Sequence, residues 1–89
     1  MKGAQLPSVK EQERIESLKT SLGRAIKRRR RGVGLSQAQL AQRAGLHRTY
    51  VSDLERGARN PSIESIEKLA HALHLSVLNL FEAAGGNPT

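Results

Sequence analysis

Arg48, Thr49, Ser52, Asp53 and Arg56 offer the plainest chemistry in this chain. Wound into a helix, Thr49, Ser52, Asp53 and Arg56 share one side, Arg48 flanks them at the amino end, and Val51 and Leu54 project the opposite way. The outward side is therefore polar, short or cationic. Such a helix can enter a major groove about 12 Å wide with its N-terminal residues nearest the base edges. Arg48 carries a fork that can bind guanine O6 and N7, worth about 1–3 kcal/mol of discrimination. Thr49 offers a methyl to thymine. Asp53 fits less well, because a carboxylate repels phosphates and can accept only from cytosine N4; its alternative use is to restrain Arg48 or Arg56.

Catalytic and metal chemistry find little support. Asp53 and Glu55 are two residues apart and face different ways on a helix, which removes a simple paired-carboxylate site. His71 and His74 are three apart and could share a face, yet no Asp or Cys stands near them, so solvated or half-packed histidines are expected rather than a metal site. The Gly32-Val33-Gly34 stretch is not a phosphate cradle, since neither GxxxxGK nor GxGxxG is present. Without cysteine there are no disulfides or thiolate ligands, which suits a reducing compartment. The expectation is a non-enzyme with no metal and no cofactor.

The outward residues need elements to hold them, and the stretch Leu35 to Arg59 provides these. Ser36 precedes an apolar-periodic run with Gln39 three residues on, a capping box that starts a helix at Gln37. Leu40, Ala41 and Ala44 give that helix one buried face. Gly45 allows the left-handed turn that ends it, Leu46 plugs the corner and His47 caps the next helix, whose buried side is Val51 and Leu54. Two short helices joined by a glycine-containing turn make a helix-turn-helix. Gly57 ends the second, and Ala58 to Pro61 form a loop whose polar members flank the outward face.

Further elements follow from the same signals. Pro7, Ser8 and Glu11 mark a first helix running from Val9 to about Arg31, with Ile15, Leu18, Leu22, Ala25 and Ile26 as its stripe. Thr20, Ser21 and Gly23 leave open a break or weak point near its middle. Arg30 falls on the stripe with Leu22 and Ile26, so it is aimed inward and needs a partner; Glu55, beside Val51 and Leu54, is the candidate. Ser62 caps a helix with Ile63, Ile66, Leu69, Ala70 and Leu73 as its stripe, and Ser76 caps a last one from Val77 to about Ala84. Val77, Leu78, Leu80 and Phe81 cover more of that helix than one core face requires. The surplus suggests an association surface, against which stands the reading of Leu78 as an ordinary exposed leucine.

The formal charge of +7 sits entirely in the first third of the chain. Residues 1–31 hold ten Lys or Arg against Glu11, Glu13 and Glu16, while residues 32–89 hold five against five. A basic stretch such as Lys27 and Arg28 beside a groove-reading helix would attract phosphates and add sequence-independent, salt-dependent affinity. A solvated face that aids solubility is the plainer reading. With no Trp, one Phe and one Tyr, an aromatic platform for single strands is not expected. No signal peptide is visible, and no apolar run approaches the roughly 20 residues that cross a bilayer.

LSQAQLAQRAGL, HRTYVSDLERGARNPS and IEKLAHALHLSVLNLF resemble the successive helices of the Cro/phage-repressor type (xenobiotic-response-element) helix-turn-helix regulators, from about Leu18 to Phe81. HRTYVSDLERG is similar in particular to the controller proteins of restriction-modification systems. The resemblance implies that Gln37 binds a phosphate and braces the reading helix. It implies that Arg48 and Thr49 touch bases with Ser52 and Asp53 further along, and that Tyr50 contacts a deformed step with Arg59 and Asn60 near the backbone or groove edge. It also implies that Arg30 and Glu55 form a structural ion pair and that the final helix pairs two subunits. Arg29 departs from the family's apolar residue at that place. For Tyr50, a ring packed at the edge of the helix pair stands beside the DNA contact as an equal reading.

The expectation is an all-α, five-helix, lambda-repressor-like DNA-binding domain over residues 18–84, with an N-terminal extension, partly helical or disordered, over 1–17 and a flexible tail over 85–89. It is a cytoplasmic homodimer that reads a two-fold operator in duplex DNA through Gln37, Arg48, Thr49, Tyr50, Ser52, Asp53, Arg56, Arg59 and Asn60. Lys27 and Arg28 lie on phosphate, and Val77, Leu78 and Phe81 lie between subunits, with half-sites about 34–36 Å apart. No membrane is involved. The rival is an antitoxin or adaptor whose main partner is a protein, met through residues 1–17 and the last helix; structured RNA is a weaker one.

Overall fold

Serine side chains start four of the five helices found in the computed structural model, which describes residues 8–86. The expectations for residues 1–7 and 87–89 lie outside that range. Helix α1 (Val9–Gly32) opens on a complete Ser8/Glu11 capping box, and α2 (Gln37–Ala44) on a complete Ser36/Gln39 box. Helix α3 (Arg48–Glu55) is capped by His47 instead, whose Nδ1 accepts from the Thr49 amide at 3.2 Å. Ser62 and Ser76 cap α4 (Ile63–Ala72) and α5 (Val77–Phe81). No strand occurs among the described residues. Gly45 takes φ +69 between α2 and α3, the left-handed turn that makes the corner tight.

One core serves all five helices. Leu22, Ala25 and Ile26 of α1 meet Leu40 and Ala41 of α2, Val51 and Leu54 of α3, Leu69 and Leu73 of α4 and Leu80 of α5. Burial of these side chains, at roughly 25 cal/mol per Å² of apolar surface, is what fixes the orientation of helices too short to persist alone.

The structure corrects the helix stripes at three ends. Ile15 and Leu18 are 45% and 50% exposed, and every described residue before Lys19 lies on the surface, because the other helices pack only against the later part of α1. Ile63 is 76% exposed: as the first residue of α4 it precedes the turn whose Ser65 and Ile66 face inward. The last helix does not run regularly to Ala84 but loosens after Phe81 into a π-type turn, Glu82–Gly86, that still buries Ala84.

Gly23 corrects the reading of a weak point in α1, which is continuous through it. A Cβ there would lie 2.2 Å from the Leu54 carbonyl oxygen and 2.9 Å from that of Glu55. The glycine is the place where α1 and the end of α3 approach backbone to backbone.

Candidate nucleic-acid interface

Helix α3 is held from its inner side. Val51 and Leu54 are 0% and 3% exposed, and Glu55 is nearly as buried. Glu55 accepts from Arg30 Nε at 2.6 Å and Nη2 at 3.0 Å, and from Gln37 Nε2 at 3.0 Å. Arg30 Nη1 completes the set on the Leu35 carbonyl at 2.8 Å. The hydrogen bond to Glu55 raises the Arg30 guanidinium above its ordinary range, against the opposing effect of burial. The end of α1, the start of α2 and the last turn of α3 are thus tied at a single carboxylate. Gln37, expected at phosphate, gives one amide N–H to this carboxylate and keeps a second.

With that side fixed, the opposite one is solvent-facing. Arg48 and Thr49 are exposed at the amino end of α3 and Ser52 is half-buried. Asp53 does not restrain Arg48. Its Oδ1 accepts from Arg56 and its Oδ2 from Arg59 Nη2 at 3.2 Å, and these two hydrogen bonds, Arg56 first, hold its carboxyl below the usual carboxylate range. The Arg59 guanidinium also lies 4.9 Å above the centre of the Tyr50 ring, whose hydroxyl accepts from the Ser62 amide at 3.3 Å. Tyr50 is half-buried, as a packed ring at the edge of the helix pair would be, and it joins α3 to the loop carrying Arg59 and the exposed Asn60.

The basic run at the end of α1 is used largely inside the molecule. Arg28 Nη2 donates to the Ala83 carbonyl at 2.9 Å and Arg29 Nε to the Leu73 carbonyl at 3.0 Å. Arg29 thereby takes the place of the apolar residue in the family pattern by satisfying a carbonyl at the end of α4. Arg28 is exposed but committed in part to the C-terminal turn, which weakens its expected place on phosphate; Lys27 and Arg31 are exposed. On α5, Val77 and Phe81 are half-buried against the core while Leu78 is 69% exposed. His71 and His74 are both exposed, and His74 holds φ +60. Among the described residues no group of three or more His, Cys, Asp or Glu could hold a metal ion, and no helix is long and apolar enough to cross a membrane.

Sequence reasoning missed two contributors. Gly23 carries no side chain to mark a face, and Arg29 meets a carbonyl 44 residues away. Only the departure of Arg29 from the family pattern signalled anything there.

The fold is shared with known proteins. Control protein C.BamHI of Bacillus amyloliquefaciens is 48% identical over 48 residues, which is 54% of this chain and 59% of that protein. The chain therefore spans about three fifths of that relative. The crystal structure of the restriction-modification controller protein C.AhdI from Aeromonas hydrophila superposes with a TM-score of 0.68 at 42% identity, over 70% of this chain and 94% of that one. The clp gene regulator ClgR from Corynebacterium glutamicum superposes with a TM-score of 0.74 at 29% identity, over 98% of this chain and 100% of that one. The family model described as helix-turn-helix matches residues 26–80, the span that holds the Glu55 junction, the glycine corner and the outward face of α3; to the helix-turn-helix family this chain therefore belongs.

Proposed function

We propose that the protein is a sequence-specific, duplex-DNA-binding transcriptional regulator that acts as a homodimer on a two-fold symmetric operator. The observation that carries the reading is the two-sidedness of α3, with Val51 and Leu54 buried while Arg48 and Thr49 stand in solvent at its amino end. Helix N-terminal residues are the ones a major groove brings closest to base edges. Residues 18–84 are the reading unit and 1–17 an addition to it. Arg48 and Thr49 read bases with Ser52 beside them, Gln37 and Lys27 meet phosphate, and Tyr50, Arg59 and Asn60 lie at the groove edge. The pairing surface is Leu78 with the outer parts of Val77 and Phe81. The role is non-catalytic and belongs to the cytoplasm, where its DNA would be. The printed names of C.BamHI and C.AhdI, a control protein and a controller protein, support regulation as the outcome.

Selection of genomic fragments by the protein, followed by their sequencing, tests this. A recurrent site with two half-sites about 34–36 Å apart is expected. Arg48→Ala should relax preference at one base pair by about 1–3 kcal/mol; an unchanged preference on a mutated operator set removes that assignment.

A second reading, a module whose main partner is a protein, draws support from a groove of about 370 Å³ between Ile15, Leu18 and Leu22 of α1 and Pro61, Ile66 and Phe81. A pull-down set beside the gel shift separates the two. Retention of a protein with no retained DNA would favour the second.

A further inference from the structure

The geometry points to Asp53 as a specificity-determining residue that works by restraint and repulsion: it holds both Arg56 and Arg59 on the DNA-facing side, offsets one of their two charges, and so holds down affinity for duplexes of the wrong sequence. This rests on the DNA-reading role of α3 proposed above.

Three observations carry it. Asp53 lies on the outward side of α3, yet both its oxygens are engaged within the protein, Oδ1 by Arg56 and Oδ2 by Arg59. Arg59 is caught between that carboxylate and the Tyr50 ring, and the ring is itself tied to the Ser62 amide. The guanidinium is thus stacked on one side and bonded on another, while the side chain remains exposed to solvent. Finally, residues 32–89 contain only five cations, three of which, Arg48, Arg56 and Arg59, lie on α3 or in the loop after it. One carboxylate in their midst offsets one of those three charges.

The consequence differs between right and wrong DNA. A matching site fixes the register of α3 through the base contacts of Arg48 and Thr49, whereas on any other duplex nothing fixes it and arginines not held by Asp53 could turn to whichever phosphate lies nearest. Discrimination built from such a restraint is a difference of affinities, in which the wrong partner is penalised as well as the right one rewarded. Base reading by Asp53 itself is the weaker use, because its acceptor oxygens already hold two guanidinium groups.

The test compares wild type, Asp53→Asn and Asp53→Glu on the selected duplex and on a scrambled duplex of equal length, across a salt series. Asn keeps the shape and removes the charge, freeing two arginines for phosphate. The slope of log K against log salt on scrambled DNA should steepen by about 0.9 for each freed arginine, and affinity there should rise roughly tenfold. Affinity for the selected site should rise less, so the specificity ratio falls. Asp53→Glu keeps the charge and should retain the wild-type slope, a result that a merely structural role for the residue would not produce. If Asp53→Asn leaves scrambled-DNA affinity and slope as they were, or changes preference at a single base pair only, the inference is overturned while the reading of α3 stands. A wild-type chain that selects no site at all overturns that reading instead.

Discussion

Removing the guanidinium of Arg30 is the sharpest test of how α3 is held. In Arg30→Ala the Glu55 carboxylate loses two of its three donors and keeps only the Gln37 amide, while its side chain is just 2% exposed. Stranding one partner of a buried pair in this way costs about 3–5 kcal/mol. The Leu35 carbonyl loses its donor as well, adding about 1 kcal/mol. A chain of this length has on the order of 5–10 kcal/mol in total, so the variant should be close to unfolding at 37 °C. Urea and thermal unfolding followed by far-ultraviolet circular dichroism measure this, with Tm in the thermal scan expected to fall by roughly 15 °C or more. Arg30→Met combined with Glu55→Met removes both charges and should lose less than either Met single variant, because nothing is left stranded. A single-variant cost below about 1 kcal/mol, or strict additivity in the double, would refute the reasoning.

Further outcomes follow from other contacts. Gly23→Ala puts a methyl 2.2 Å from the Leu54 carbonyl oxygen, so α1 and α3 must separate; a loss of about 3 kcal/mol in the same unfolding assay is expected, with weakened DNA binding, and a neutral result would mean the helices are not in backbone contact. His74→Gly relieves the left-handed backbone after α4 and should stabilise the fold by about 1 kcal/mol; destabilisation would show that the imidazole contributes a contact the geometry lacks. Lys27→Ala should flatten the salt dependence of DNA binding by about 0.9 in log-log slope, and Arg28→Ala by less, since Arg28 is engaged by Ala83. Equal effects of the two would argue that the Ala83 bond does not hold in solution.

Local signals made the starts of the helices legible. Ser8, Ser36, His47, Ser62 and Ser76 cap because their side chains compete for free amides within three residues, which is information a sequence carries directly. The buried sides of α2 and α3 followed from spacing alone. The inward aim of Arg30 followed from its place on the stripe, and the choice of Glu55 needed only one long-range step. What the pattern could not supply is where a neighbouring helix stops. Ile15, Leu18 and Ile63 are in phase with buried residues but are left uncovered, the first two along an open groove and the third at the start of α4. Arg28 and Arg29 looked like one charged run because their carbonyl partners, at Ala83 and Leu73, are tertiary. Asp53 was ambiguous for the same reason: its second partner, Arg59, is brought to it by the fold of the loop rather than by helical spacing.

The arginine tract from 28 to 31 has a consequence for how this chain can change over time. Three neighbours in it fasten three different parts of the molecule: the C-terminal turn, the end of α4 and the Glu55 junction. Lysine at position 30 would preserve the sign of the charge yet could not reach both carboxylate oxygens and the Leu35 carbonyl with one rigid planar group. Positions 27 and 31 are therefore free to drift among cations, whereas the residues between them are pinned like rivets, and counting plus signs along the tract would conceal which is which.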